Sequence, residues 1–388
     1  MKIAVDGRAL MDIQPGGVTA YCQDLLKALV DIDQDNQYLL FYNTHRRVSD
    51  YPDIAERFKV FDQRGVQIIR RKIPNKILNY FLLWPFGWPK MSKLLQTEVD
   101  IFLMPHGNFV ATDSETKNIL TIHDLSYLHY KEFFDWHKSI WHYFINTRRL
   151  VKKFDKIVAI SESTKRDLIN LLGVDADKIS VIYSGISSDY QCLDKADPRL
   201  TEVKAKYQLP QRFILSLGTI EPRKNLVGLI KAYDYLRQNY PELATVKLVI
   251  AGGNGWKFKE VYQASKDSLF KDDIKFLGFV EASDKCPLYN LAEVFAFPSF
   301  YEGFGFPPLE AMACGTPVVA SFASSIPEVV GESGILVDPY DTAQIGQALA
   351  DILLDENLAK TLSQLGLEQA KKFNWQITAR SYLKLWQD

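Results

Sequence analysis

"EVFAFPSFYEGFGFPPLEAMACGTPVVAS", residues 293–321, opens and closes on apolar runs, with glycines, prolines and a helix-forming stretch between them. EVFAFPS (293–299) and TPVVAS (316–321) are apolar rather than alternating, as befits parallel strands covered on both faces. Pro307 and Pro308 have no N–H to leave unpaired and suit the first turn of a helix, so PPLEAMAC predicts the crossover between the two strands. This strand–loop–helix–strand unit sets the reading of the whole chain.

The same rhythm recurs on both sides. Upstream strands are expected at 2–7, 38–43, 66–70, 100–105, 118–124, 156–161 and 179–185. After a polar pause they resume at 213–220, 246–253, 274–280, 293–299, 316–321 and 334–339. SESTKRDLINLLG begins on a serine cap and stops at a glycine, one of several helices between them. A chain of 388 residues exceeds one ordinary core. The pattern predicts an α/β protein of two Rossmann-like domains facing across a cleft. The expected division is a first domain over 1–190, a linker over 191–208, a second domain over 209–372, and a helix over 373–388 returning to the first domain.

Open α/β sheets bind ligands at the carboxyl ends of their strands. Glu302 and Glu310 flank Gly303, Phe304, Gly305 and Phe306 at such an end. Glycine lets backbone approach a ligand, and Gly305 suits a positive φ. The free N–H groups of the following helix would attract a phosphate. Glu310, one turn in, is placed for vicinal hydroxyls such as a ribose diol, and Glu302 for hydroxyls of a second group. A lone glutamate here would more often cap a helix or face water; the combined pattern argues for a ligand.

SLGTIEPRKN supplies the cations. Arg223 and Lys224 follow a strand, with Asn225 as the expected helix cap. A guanidinium forks onto phosphate oxygens and an ammonium adds a point charge, a pair suited to a diphosphate leaving group. In the first half, Gly16 and Gly17 precede a helix and offer loop N–H groups to a diphosphate or an acceptor. His123 and Asp124 end a strand, the histidine within reach of a sugar hydroxyl or the aspartate orienting it.

EPRKN, FPSFYEGFGFPPLEAMACGTPVVAS, IPEVVGESGILVDP, TIHDLSYLHY and AISESTKRDL together resemble the retaining, GT-B-fold glycosyltransferases of family 4, and bacterial mannosyltransferases of polysaccharide assembly in particular. The likeness covers nearly the whole chain and is most specific from Gly218 to Pro339. It implies a nucleotide-sugar donor, GDP-mannose first and a UDP-sugar second, and a glycan or lipid-linked acceptor. It implies diphosphate contacts from Arg223 and Lys224, ribose contacts from Glu310, and contacts to the sugar or its phosphate from Glu302 and the backbone of Phe304, Gly305 and Phe306. His123 would approach the sugar, Gly17 the diphosphate, and the backbone up to Val280 the base. The implied chemistry is same-face transfer, in which the departing phosphate oxygen helps deprotonate the acceptor hydroxyl. Neither a metal nor another cofactor is expected. A silent sugar-nucleotide or glycan-binding protein on the same scaffold is the rival from another class.

Other features narrow the field. Net charge is −1, so no global attraction to nucleic acid or membrane arises. No GxGxxG, Walker loop or GxSxG occurs, and AGGNG (251–255) lacks the dinucleotide spacing. Cys22, Cys192, Cys286 and Cys314 form no CxxC pair and read as free thiols in a reducing compartment. His137 and His142 are read as packing or solvated residues, and the Asp-X-Asp strings at 31–35 and 175–177 as solvated turns. No signal peptide or spanning segment is read, so a cytoplasmic setting is expected. The stretch 64–93 departs from neutrality, with seven basic residues, no acidic one, and Trp84, Phe86 and Trp88 among them. It reads either as a point of peripheral contact with the cytoplasmic face of an anionic membrane or as a core-packing helix with a solvated basic edge.

Overall fold

The structure, a computed structural model, describes residues 1–12, 16–45, 48–83, 87–130, 133 and 146–387. His137, His142, Trp84 and Phe86 lie outside them. The chain forms two compact units. The first takes the chain up to Gly185 together with the terminal stretch from Asn374; the second is Ile186–Phe373, with His129, Tyr130 and Phe133 grouped beside it.

The first unit is built on seven strands: β1 (Lys2–Asp6), β2 (Gln37–Asn43), β3 (Gln67–Arg71), β4 (Ile101–Met104), β5 (Lys117–Ile122), β6 (Lys156–Ala159) and β7 (Ile179–Val181). They are all parallel, in the order β3-β2-β1-β4-β5-β6-β7. The second unit has six: β8 (Phe213–Leu217), β9 (Lys247–Ala251), β10 (Ile274–Gly278), β11 (Val294–Phe297), β12 (Val318–Ser321) and β13 (Ile335–Val337). These are again parallel, in the order β10-β9-β8-β11-β12-β13. Ten of the thirteen fall within the apolar runs read from the sequence, and β2, β3 and β5 each overrun theirs by one residue. β4, β8 and β11 are buried along their whole length, because helices cover both faces of each sheet.

Both orders are doubly wound. The chain starts at a central strand, builds outward, then returns to the other side of its starting strand. The reversal leaves a crevice at the carboxyl ends of β1 and β4 in one sheet, and of β8 and β11 in the other. Those two edges are where chemistry is to be sought.

The helices follow their local signals. In Glu162–Leu172, Ser161 Oγ accepts the Thr164 N–H at 3.0 Å, and Gly173 ends the helix at φ 68°. The helix Trp375–Gln387 packs on Gly17–Ile32 within the first unit. Tyr382 Oη lies 2.8 Å from Tyr21 Oη and 2.7 Å from Thr121 Oγ1 there.

Two expectations need correction. The stretch 191–208 is not a plain linker, since it belongs to the second unit and carries the helix Pro198–Lys206. Asp197 caps that helix and Val203 alone of its residues is buried, so the polar composition marks a solvated helix face. The Asp-X-Asp string at 175–177 is exposed as expected, but the stretch 31–35 is not merely solvated. Asp33 is buried and accepts from Tyr38 Oη at 2.6 Å and Asn36 Nδ2 at 2.7 Å, which ties the turn into β2.

Candidate active site

β8 and β11 are neighbours, so the loops leaving their carboxyl ends meet. The loop after β8 carries Arg223 and Lys224, and the loop after β11 carries Glu302. Phe300 N–H donates to Arg223 O at 2.9 Å, which locks the loops together. Glu302 is buried and accepts from Arg223 Nη1 and Lys224 Nζ, each at 2.7 Å. Burial would raise its pKa, but the Arg223 and Lys224 charges outweigh burial and hold the carboxyl below its ordinary range. Its own N–H donates to Ser324 Oγ at 2.8 Å, and Ser325 Oγ sits 2.9 and 2.8 Å from the carbonyls of Glu302 and Phe304. The glutamate is therefore fixed at both backbone and side chain.

The cations are fixed as well. Glu221 is buried and accepts from Arg223 Nε at 3.0 Å, while Arg223 Nη1 also reaches Tyr301 O at 3.0 Å. Lys224 Nζ stands 4.7 Å over the Phe297 ring. An ammonium has three donors, so Lys224 can hold Glu302 and still offer N–H to an anion. Gly218 lies under its stem, where an added Cβ would stand 3.5 Å from Lys224 Cε. Gly252, just past β9, is more tightly enclosed. Its φ is 143° and a Cβ there would fall 1.9 Å from Gly218 O, so only glycine lets the β8 and β9 loops close up.

Asn225 is not the side-chain cap expected. It sits at φ 54°, and its Nδ2 donates to Pro298 O at 3.1 Å and Pro339 O at 2.6 Å. It thereby ties the exits of β11 and β13 to that of β8. The helix Phe306–Ala313 starts where expected, with Gly305 at φ 117°. Its N-terminus is poorer in donors than a generic helix, because Pro307 and Pro308 have no N–H and Leu309 N–H already bonds to Gly305 O. Gly305 and Phe306 are left as the N–H groups ahead of the first intrahelical bond.

Glu310 stands in a second polar group. It is buried in the helix and accepts from Tyr289 Oη at 2.8 Å, with part of its acceptor capacity left for another donor. Burial, with the Glu310 charge added, pushes the Tyr289 phenol well above its ordinary range, so it remains a donor. Just past β10 the Val280 side chain is buried, whereas Phe279 beside it is 63% exposed. Gly253 comes within 4.0 Å of that ring at its Cβ position. Phe279 and Glu221 are functional candidates the sequence reading passed over.

The first unit presents its own crevice. His123, at the end of β5, lies with Nε2 2.7 Å from Pro105 O at the end of β4. A carbonyl only accepts, so Nε2 carries the hydrogen and Nδ1 is the acceptor. Burial lowers the pKa of His123, which favours the neutral ring. Tyr21 packs edge-on against it, with centroids 4.7 Å apart. Asp124 does not orient the histidine. It accepts from Ser126 N–H at 3.1 Å and Ser126 Oγ at 2.7 Å, while Pro105 does the orienting. Gly16 and Gly17 open the helix Gly17–Ile32, and among the described residues beyond their own chain neighbours and helix no atom lies within 4 Å of a Cβ at either. Beside His123 are residues not foreseen: Asp6 and Arg8 form a buried ion pair at the end of β1, and burial lowers the His106 pKa to about 4. A separate cavity of about 700 Å³, lined by Lys2, Gln37 and Asp100, lies at the amino ends of β1 and β2, the wrong edge for a doubly wound site.

Comparison with known proteins bears on the fold and the family. The family described as Glycosyl transferases group 1 matches residues 201–369, and Glycosyltransferase Family 4 matches residues 15–190. The O-antigen chain mannosyltransferase B of Escherichia coli is 31% identical over 373 residues, 93% of each chain. The sucrose-phosphate synthase of Thermosynechococcus elongatus superposes with a TM-score of 0.73 at 20% identity, covering 100% of this chain and 98% of that one. HepE of Anabaena, solved in complex with UDP-glucose, gives 0.72 at 18% identity, covering 99% of both. Two doubly wound parallel sheets, a basic-acidic cluster at the switch point of the second, and a relative matched along nearly its full length lead to one family: the chain belongs to the GT-B glycosyltransferases of group 1 and family 4.

Proposed function

We propose that this glycosyltransferase moves a mannosyl group from GDP-mannose to a glycan or a lipid-linked sugar, with retention at the anomeric carbon and without a metal, in the cytoplasm. The observation that carries the reading is the fixed Glu302–Arg223–Lys224 cluster at the exits of β8 and β11. The second unit takes the donor. Arg223 and Lys224 receive the diphosphate, whose charge grows as its bond to the sugar breaks. Gly303, Phe304, Gly305 and Phe306 line the sugar phosphate with backbone, Glu302 receives sugar hydroxyls, and Glu310 takes the ribose. The base lies along the Val280 backbone against the Phe279 ring, above Gly218 and Gly253.

The first unit takes the acceptor and contributes His123, whose Nδ1 accepts from a sugar hydroxyl, and the open Gly16–Gly17 turn. Asp124 supports this edge by holding Ser126. No carboxylate is assigned as a nucleophile. The departing phosphate oxygen takes the acceptor proton on the same face, and the protein supplies position and charge.

Mannose is supported by the E. coli relative, whose name specifies a mannosyltransferase. A UDP-sugar is the second reading, since HepE of the same fold was solved with UDP-glucose. A panel of nucleotide sugars tests the choice, scored by thermal shift and by release of nucleoside diphosphate. The expected result is the largest stabilisation and turnover with GDP-mannose. Preference for UDP-glucose moves the assignment to the second reading. Affinity with no release in the presence of any acceptor makes the protein a silent binder.

A further inference from the structure

Three of the four cysteines, scattered in the sequence, gather on the second unit. Cys286 sits in the helix Ala282–Leu291, and Cys314 ends the helix Phe306–Ala313. The two helices pack side by side, both thiols are buried, and their sulfurs are 3.8 Å apart. Cys192 is close by and exposed: an added Cβ on Gly315, the residue after Cys314, would lie 3.5 Å from its Sγ. Among the described residues no group of three or more His, Cys, Asp or Glu is placed to hold a metal, so the buried pair is a dithiol.

The two sulfurs are not equivalent. Cys286 Sγ accepts from the Cys314 S–H and, at 3.6 Å, from Asn290 Nδ2, while its own S–H donates to Gln191 O at 3.5 Å. The Cys314 contact lowers the Cys286 pKa to about 6 against the opposing effect of burial, and the same contact, with burial added, raises that of Cys314. Cys286 is thus the nucleophile and Cys314 the thiol that resolves it. Bonded sulfurs stand about 2.0 Å apart, so the gap closes by side-chain rotation and a small movement of the two helices. That movement reaches the donor side of the unit. Tyr289, one turn past Cys286, donates to Glu310 at 2.8 Å, and Glu310 O accepts the Cys314 N–H at 3.1 Å. The sulfur pair and the Tyr289–Glu310 contact bridge the same two helices, one turn apart.

We propose that Cys286 and Cys314 are a reversible disulfide site, closed by a peroxide, that ties the helix of Tyr289 to the helix of Glu310 and disturbs their contact. The Cys286 thiolate attacks one peroxide oxygen, the O–O bond breaks, and the departing hydroxide takes up the Cys286 proton. Cys314 sulfur then attacks the sulfenic acid, whose hydroxyl leaves with the Cys314 proton as water. Two thiols and one hydrogen peroxide give one disulfide and two waters, sulfur being oxidised and oxygen reduced. In a reducing setting a bond of this kind is transient and reports oxidant. Its effect on the donor rests on the ribose reading of Glu310 above, whereas the bond itself does not.

The full chain is reduced, freed of reductant and treated with hydrogen peroxide; free thiols are then alkylated and the peptides mapped by mass spectrometry. The expected result is one bond within the chain, Cys286 to Cys314, with Cys22 and Cys192 outside it, undone by dithiothreitol. Cys286→Ala and Cys314→Ala are each expected to abolish it, and Cys192→Ser to leave it. In the oxidised parent, KM for the nucleotide sugar is expected to rise about three- to tenfold, the worth of one hydrogen bond, and to return on reduction. Cys286→Ala is expected to keep the reduced KM with or without peroxide. Should an alanine variant fail to fold, the map of the parent still decides. A bond through Cys192, a bond between chains, no bond, or a mapped bond that leaves KM unchanged would each overturn the proposal. A reduced parent that turns over no nucleotide sugar defeats the donor reading alone, and the mapped bond then decides this one.

Discussion

Glu302 holds its charge in a buried position because two cations face it, and that has a consequence in pH. Its folded pKa lies below the ordinary glutamate value, with burial opposing and Arg223 and Lys224 prevailing. Such a carboxyl contributes stability above its unfolded pKa and surrenders it as pH falls through the folded one. Glu302→Gln is therefore expected to melt below the parent at neutral pH and to approach it as the pH falls through the parent's lowered folded pKa. Paired thermal melts decide this, and a gap independent of pH would show that the ion pairs contribute nothing. In turnover, Lys224→Ala and Glu302→Ala are each expected to lower kcat by about a hundredfold or more, the scale of a lost electrostatic contact in a transition state. Circular dichroism checks that each variant stays folded. These residues were readable because glycines and prolines around a charge have no use in a core. Glu221 was not, because an acid two positions from an arginine reads equally as a solvated pair. Asp6, Arg8 and His106 were hidden for another reason: their meeting depends on β1 lying beside β4, which no local pattern states.

At the scale of elements, apolar runs located every described strand, since a strand covered on both faces has no polar side to disguise it. The helix Pro198–Lys206 was missed for the converse reason, one buried residue being too faint a stripe. Cys286 and Cys314, far apart in sequence, come to 3.8 Å because their two helices pack side by side. Asn225 shows how loops become a platform. Asn225→Asp keeps the shape and the tolerance of a positive φ but turns an acceptor on the carbonyls of Pro298 and Pro339. It is expected to cost about 2–3 kcal/mol in chemical denaturation, the penalty of unpaired buried groups, and to raise KM for the donor by misplacing Lys224. Unchanged stability would mean that the two carbonyl contacts are dispensable. The end of β10 offers a second check on the donor reading. Phe279→Ala removes an exposed ring, so the fold is expected to be untouched while donor affinity falls about tenfold, within the range of about 1–3 kcal/mol for base stacking. Isothermal titration measures it, and equal affinity would take the base away from this strand end.

The whole chain is not two beads in sequence. It leaves the first unit at Gly185 and returns at Asn374, so the first unit is completed only by residues that lie beyond the whole of the second. The returning helix Trp375–Gln387 buries Tyr382, Leu385 and Trp386 and places Tyr382 Oη between Tyr21 and Thr121. It also brings Trp375 against Gly185, where an added Cβ would lie 2.2 Å from Trp375 N. A chain ending at Phe373 would bare the Gly17–Ile32 face and leave the Tyr21 hydroxyl without Tyr382, while every strand and loop assigned to the donor remains. Calorimetry of that truncated chain is expected to show a separate, lower transition for the first unit and a second transition that the donor still raises, because binding stabilises only the unit that binds. Loss of the donor's effect would mean that donor binding needs the first unit too, and a single unshifted transition would mean that the terminal helix is an ornament. The retained donor response is the expected result, since Glu221, Tyr301 and the mutual ion pairs that hold the Glu302–Arg223–Lys224 cluster all lie within Ile186–Phe373.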